Sequence, residues 1–503
     1  MGPRARFRLA FCLAAQSLIW LVSAAGSNSF LVIPQPKSLQ PGTGTFTWPR
    51  AANWTLQAPA RDERLWQAAS DVFGSSHGQF NSNSAVGFNL VLGAGPVPAF
   101  PAGTNPPAWA TNAEGYHLTV QPAGLLIQSA TAQGAFYGLQ TLAQLRTAPA
   151  AELRCPAVEI TDWPSLRFRG AHWFPSASGA AMDERLINQV FSAFKFNHCV
   201  IQCEGARWDS HPEIATRNAI SKPALRKLVA ACRARFIEPI PLLDIPGHAD
   251  WMFRHGQNTN LIEDPQNPYA CCVRNPQTTR FIEDVMTECL DVFHPQTFQL
   301  GFDVITLRGR FPNPGCPFCH DASVTTLMAE SANHFAAWLA ARGMGMMIWG
   351  DMLLAPGEAV DATDATTVAE ATARRAAIDK RITIADWHYV WNADRTSLDI
   401  LQSGGFHTIA ASWEEPVNIY RFSQAAIASG SDGLLQTTWA GFFPDETDLQ
   451  REIDQYAAYI LAADYAWSGR SDPPARLGYE ARAVFLKAYA AKPMPFYSHE
   501  LSR

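Results

Sequence analysis

Six apolar runs in the C-terminal two-thirds of this chain end in side chains that can do chemistry. HCVIQCE (198–204) ends in Glu204, EPIPLLD (238–244) in Asp244, TFQLGFD (297–303) in Asp303 and GMMIWGD (345–351) in Asp351. ITIADWH (382–388) ends in Trp387 and His388, and GLLQTTW (433–439) ends in Trp439. Carboxyl groups donate and accept protons and balance developing positive charge. Indole faces pack against sugar rings, though they also suit plain packing. Acids and tryptophans gathered at strand ends point to a carbohydrate site. Polar residues that merely end strands account for one or two such positions, less readily for six.

The elements that must position these groups follow from periodicity. Two further runs, LRFRGAHWF (166–174) and HTIAAS (407–412), bring the apolar runs to eight. Helical segments lie between them: 183–196, 221–235, 278–293 and 325–343, with Ser221-Lys222-Pro223 as a helix start. Strands alternating with helices read as parallel βαβ units, and eight of them across roughly 300 residues fit a (β/α)8 TIM barrel. A doubly wound sheet is the alternative; no G-x-G-x-x-G turn follows the first strand. Before the barrel the rhythm differs. YHLTVQ (116–121) and GLLIQSAT (124–131) alternate apolar and polar residues around a Pro-Ala-Gly turn, and GAFYGLQTLAQL (134–145) puts Phe136, Leu139, Leu142 and Leu145 on one helical face. The expected organisation is a small α+β domain over 28–157, the barrel over 160–470 and a helical extension over 471–503.

Composition narrows the class. Of 503 residues, 47% are hydrophobic and 17% charged, a globular balance, and 39 Lys and Arg against 45 Asp and Glu leave a formal charge of −6. Without a basic run, nucleic acid is excluded as a partner. Arg4, Arg6 and Arg8 precede an apolar run, Leu9 to Val22, and the small residues Ser23, Ala24 and Ala25. The pattern is a secretory signal peptide over 1–24; the run is short for an uncleaved anchor. The expected mature chain is secreted or periplasmic and has no membrane span. Cys12 lies in that signal and leaves nine cysteines, an odd number, so at least one thiol stays unpaired in the exported chain. Cys316 and Cys319 form CPFC beside His320, two ligands where zinc needs four, or three and a water. Cys271 and Cys272 complete such a set only by folding, so a local disulfide or free thiols are expected and no metal.

Taken in order, these segments resemble glycoside hydrolase family 20, the β-N-acetylhexosaminidases, over nearly all of the mature chain. EGYHLTV with AFYGLQTLAQL is similar to the family's N-terminal domain. DWPSLRFRG (162–170) resembles its first barrel strand, KFNHCVIQCE (195–204) its second and DIPGHAD (244–250) its third. The resemblance implies substrate-assisted, retaining cleavage of terminal N-acetylhexosamine. The 2-acetamido oxygen attacks the anomeric carbon, an Asp orients the acetamide and balances its charge, and the next Glu is the general acid and then the base. It implies that Asp303 is that Asp and that Arg169 binds the sugar, a structural ion pair being the other reading of Arg169. Trp349, Trp387 and Trp439 become pocket walls, with barrel packing the other reading of each. Asp351 and Tyr389 contact hydroxyls. His248 faces the pocket or caps the Pro-Gly turn, and His172 and Trp173 belong to the rim. No cofactor is required.

The fourth strand departs from the family pattern, which is close to His-x-Gly-x-Asp-Glu. Here it reads Gln299-Leu300-Gly301-Phe302-Asp303-Val304. Val304 stands where the acid is expected and cannot donate a proton. General acid–base catalysis is worth about 10²–10⁴-fold, roughly 3–5.5 kcal/mol. Another carboxyl must act in its place, with Glu204 preferred over Asp244, Glu414 and Glu415, or the chain binds N-acetylhexosamine without cleaving it.

Overall fold

The computed structural model describes residues 31–491, apart from 50–52, 75–76, 85, 94–96 and 148–151. The segment 1–24, with Cys12, lies outside the described residues. Seven strands form the first sheet: β1 (Ser38–Pro49), β2 (Trp54–Gln57), β3 (Gly78–Asn81), β4 (Phe88–Gly93), β5 (Tyr116–Gln121), β6 (Gly124–Ser129) and β7 (Glu152–Asp162). Their order is β1-β7-β5-β6-β4-β2-β3, antiparallel except for the parallel β2–β3 pair. The alternation in β5 buries Tyr116, Leu118 and Val120 on one face. The helix Ala132–Leu145 covers this sheet with Phe136, Leu139, Leu142 and Leu145, all buried. Each such side chain contributes roughly 1.5–3 kcal/mol by leaving water. The Thr131 hydroxyl caps that helix by accepting from the Gly134 amide at 3.1 Å.

The eight apolar runs become β8 (Phe168–Trp173), β9 (His198–Gln202), β10 (Glu238–Ile245), β11 (Thr297–Gly301), β12 (Gly345–Trp349), β13 (Thr383–Trp387), β14 (Thr408–Ser412) and β15 (Gly433–Gln436). They close into a parallel barrel in which β15 pairs with β8. Parallel strands covered on both faces need continuous apolar runs, which explains why these segments do not alternate. The interior is filled by Phe168, Val200, Leu242, Met347, Trp349, Ile409 and Leu435 among others. Ser221 caps the helix Lys222–Ala234 as its sequence suggests. The segment 183–196 differs from a plain helix. Its α-helix ends at Arg185 and a π-helical stretch, Leu186–Phe191, follows, with the Ser192 amide reaching the Ile187 carbonyl at 3.0 Å. The wider turn buries Leu186, Ile187, Val190 and Phe191 together.

The N-terminal sheet meets the barrel at the end where the strands begin. Arg169, second residue of β8, is fully buried there and forks onto Glu114 at 2.8 and 2.9 Å. It also donates to the Lys195 carbonyl at 2.9 Å and stacks over Trp467. Burial alone would raise the Glu114 pKa, but the Arg169 charge and hydrogen bonds more than offset it and hold the carboxyl below the ordinary range. Beside it, Asp162 accepts from Lys195 at 3.0 Å, Trp467 at 2.8 Å and Tyr116 at 2.7 Å. The resemblance assigned Arg169 to the sugar; the fold corrects this, because its guanidinium points into the domain junction and every described partner is structural. Removing one partner from such a pair strands a buried charge, at about 3–5 kcal/mol. Glu114→Ala is therefore expected to lower the denaturant midpoint by an amount in that range while leaving sugar affinity unchanged. A large loss of affinity with full stability would return Arg169 to the binding site.

Candidate active site

Glu204, Asp244 and Asp303 come from three successive strands, β9, β10 and β11, and open onto one cavity of about 180 Å³ with His248 and Trp439. Close approach of two loops makes this possible. Gly301 has φ +63°, and a Cβ there would meet the Asp244 Oδ1 at 2.7 Å; a Cβ on Gly247 would meet the Asp303 carbonyl at 2.5 Å. Phe302 and Val304 also adopt positive φ, 64° and 39°, which is costly for a β-branched valine. That path turns Asp303 inward. The amide of Val304 donates to Asp351 at 2.7 Å and its carbonyl accepts from the Tyr269 hydroxyl at 3.2 Å.

The carboxyl groups are crowded and poorly hydrated. The Asp244 amide donates to Glu204 Oε1 at 2.6 Å, and Gln202 donates to Asp244 Oδ2 at 3.1 Å. Asp244 Oδ1 and Asp303 Oδ1 are buried without a hydrogen-bond partner. Burial, and then the Asp244 charge, push Glu204 well above the carboxylate range. Burial, then Asp244 and Asp351, do the same to Asp303. His248 Nε2 lies 3.6 Å from Asp303 Oδ2, so this histidine faces the cavity, although its φ of 51° also makes it the turn residue.

The remaining sequence candidates stand in the wall rather than on the cavity surface. Trp387 donates to Asp351 at 3.0 Å, and Trp439 donates to the Tyr389 hydroxyl at 3.0 Å. Trp349 is buried with the barrel interior, its ring 6.4 Å from that of Trp439. Asp351, Trp387 and Tyr389 link Asp303's loop to Trp439 without lining the cavity themselves. His388 is buried behind them, bonded to Asp361 at 2.7 Å and Ser397 at 2.9 Å. His172 sits at the barrel mouth 4.7 Å from Trp439, and burial lowers its pKa to about 3, so it is neutral. Trp173 packs outward against Phe191. Of the other carboxyls weighed, Glu415 caps the helix Pro416–Ser429, and Glu414 does not line the cavity.

Sequence reasoning missed Phe174, Asp250, Trp251, Arg254, Gly441 and Phe442, which complete the lining. Arg254 is the cavity's guanidinium, and its Nη1 is buried without a hydrogen-bond partner. Its only signal was its place six residues beyond His248, in a loop whose path no local pattern reveals.

Comparison with known proteins matches this frame. Residues 30–163 match the model of glycosyl hydrolase family 20, domain 2, and residues 158–469 match that of the glycosyl hydrolase family 20 catalytic domain. The chain belongs to glycoside hydrolase family 20. A β-hexosaminidase of Akkermansia muciniphila is 26% identical over 263 residues, 45% of this chain and 52% of that protein. A lacto-N-biosidase of Bifidobacterium bifidum is 20% identical over 391 residues, 71% of this chain and 33% of that one. This family 20 chain thus spans about half or less of the length of these curated relatives. Its fold superposes on a β-N-acetylhexosaminidase from Bacteroides fragilis with TM-score 0.67 at 15% identity, covering 92% of this chain and 97% of the other. For a Streptomyces plicatus N-acetyl-β-hexosaminidase the TM-score is 0.65 at 17% identity, over 91% and 95%.

The electrostatics have a measurable signature. Burial raises the Asp351 pKa to about 7, against hydrogen bonds from Val304 and Trp387 that lower it. A carboxyl raised in the folded state holds its proton longer than in the unfolded chain. Its contribution to stability therefore falls as pH rises from its ordinary value, 3.8, to about 7, and is flat above. Comparing denaturant midpoints at acid and neutral pH, Asp351→Asn should gain on the wild type as pH rises, by about 1.4 kcal/mol or more. A constant gap between the two would show that Asp351 titrates normally.

Proposed function

We propose that this chain is an exo-acting glycosidase for terminal N-acetylhexosamine in which the proton donor has moved from the fourth strand to the second. The observation that carries the reading is the meeting of Glu204 and Asp303 on one small cavity, with Val304 outside the lining. In this reading Asp303 accepts from the acetamide N–H and balances the charge that develops as the acetamido oxygen attacks the anomeric carbon. Glu204 protonates the departing oxygen, then takes a proton from the water that opens the intermediate. Trp439 supplies an aromatic wall, and Arg254 and His248 donate to ring hydroxyls in place of Arg169. A cavity of about 180 Å³ suits the end of a sugar chain rather than its middle.

The absence of an acid at Val304 favours a second reading, a protein that binds N-acetylhexosamine without turnover. Leaving groups separate the two. A nitrophenolate departs without a proton; a sugar alkoxide does not. If Glu204 is the acid, the wild type cleaves both aryl N-acetylhexosaminides and disaccharides, and Glu204→Gln loses about 10²–10⁴-fold on the disaccharide but far less on the aryl substrate. Asp303→Asn abolishes both. If no acid operates, the wild type cleaves only the aryl substrate, slowly, and Val304→Glu recovers disaccharide cleavage. Sugar binding by calorimetry with no cleavage of either substrate would overturn the enzymatic reading.

We also propose that the chain is exported and loses residues 1–24, on the basic start, short apolar run and small residues there. Among the described residues no helix is long and apolar enough to cross a membrane. N-terminal sequencing of secreted protein should start near Ala25; a start at Met1 would refute cleavage.

A further inference from the structure

The fold completes the set of ligands that CPFC alone lacked. Glu263, Cys272, Cys316 and Cys319 each bring one ligand atom to within 4.8 Å of the others, and all four are buried. Two loops supply them. In the loop after β10, the Cys272 amide donates to the Leu261 carbonyl at 2.8 Å and the Glu263 amide to the Ala270 carbonyl at 2.9 Å. This small ladder sets Glu263 and Cys272 side by side. In the loop after β11, the Cys316 amide donates to the Asn313 carbonyl at 2.9 Å, and the Asn313 amide donates to Glu263 Oε1 at 2.8 Å. That turn presents Cys316 and Cys319 to the first loop.

Three features of the cluster ask for a cation. Cys272 Sγ lies 3.4 Å from Cys316 Sγ and 3.5 Å from Cys319 Sγ. A disulfide needs about 2.05 Å, whereas two thiolates sharing a tetrahedral zinc at about 2.3 Å each lie roughly 3.8 Å apart. Glu263 Oε2 is buried with no hydrogen-bond partner, although its other oxygen is engaged. A disulfide would use two sulfurs and leave the third thiol and this carboxylate oxygen only a weak S–H···O contact with each other. One metal ion uses all four. Sulfur-rich tetrahedral sets select zinc over magnesium or calcium.

We propose that Glu263, Cys272, Cys316 and Cys319 bind one Zn²⁺ ion. Four protein ligands leave no open position, so the ion is structural. It ties the loop carrying His248 and Arg254 to the loop that begins at Asp303, the two segments whose close approach forms the cavity. Cys271, next in the chain, is buried outside the set.

The test uses full-length protein purified without chelator, one portion with a thiol reductant for the zinc measurements and one without it for intact mass and disulfide mapping. Elemental analysis should find about one zinc per chain. Stripped protein should melt at lower temperature and recover on adding zinc. Cobalt in its place should give thiolate charge-transfer bands and the visible bands of tetrahedral geometry, a reading that needs no variant. Cys319→Ser and Glu263→Gln should bind zinc at least tenfold more weakly, and Cys232→Ser should bind it as the wild type does. Protein that takes up no zinc on titration, an intact mass two hydrogens short with a disulfide mapped within the trio, or a Cys319→Ser variant with undiminished affinity would each overturn the proposal. None of these readings depends on glycosidase activity.

Discussion

Closure of eight parallel strands is the constraint to which the rest of the molecule answers. Once β15 bonds to β8, no strand edge remains, and the C-terminal ends of all eight form one ring. Side chains far apart in sequence must then share a small volume. Glu204, Asp244, Asp303 and Asp351 end neighbouring strands, so four acids crowd against a low-dielectric interior. Their raised pKa values follow from that placement, since water is excluded and like charges adjoin. The same crowding requires glycine at 247 and 301, where any side chain would strike the neighbouring loop.

The opposite end of the barrel solves a different problem. There the N-terminal sheet must dock against strand beginnings whose polar groups would otherwise be buried unpaired. Two ion pairs, Arg169 with Glu114 and Lys195 with Asp162, cross that junction, and Trp467 lies against both. Their net worth over an apolar junction is small, but their loss is expensive, because each charge has no water to return to. Placement at the strand beginnings makes Arg169 a residue of stability, whatever its neighbours in sequence suggest.

The two long loops after β10 and β11 connect these themes to chemistry. One carries His248 and Arg254, the other begins with Asp303 and Val304. Tyr269 from the first bonds the carbonyl of Val304 in the second, and Asp264 holds Arg310 and Asn313 across the same gap. The strained path through Phe302 and Val304 persists because both sides of it are held. The geometry of the cavity depends on contacts between loops as much as on the strands beneath them.

The barrel was legible in the sequence because its signal is local. Buried parallel strands must be continuously apolar, the intervening helices must repeat every three to four residues, and both patterns survive in one dimension. The strand-end acids were legible for the same reason: Glu204, Asp244 and Asp303 had to reach one face once the barrel existed. Orientation and distance were not. Arg169 lies on the same strand as His172, yet one faces the domain junction and the other the barrel mouth. That difference comes from position along the strand and from Glu114, 55 residues away. Arg254 entered the cavity by a loop path, and Cys272 met CPFC across 44 residues. Hydrophobic periodicity specifies which residues are buried and in which element, because burial is non-directional and repeats with the backbone. Hydrogen bonds, ion pairs and metal ligation are directional and short in range, so only the tertiary structure decided which polar groups meet.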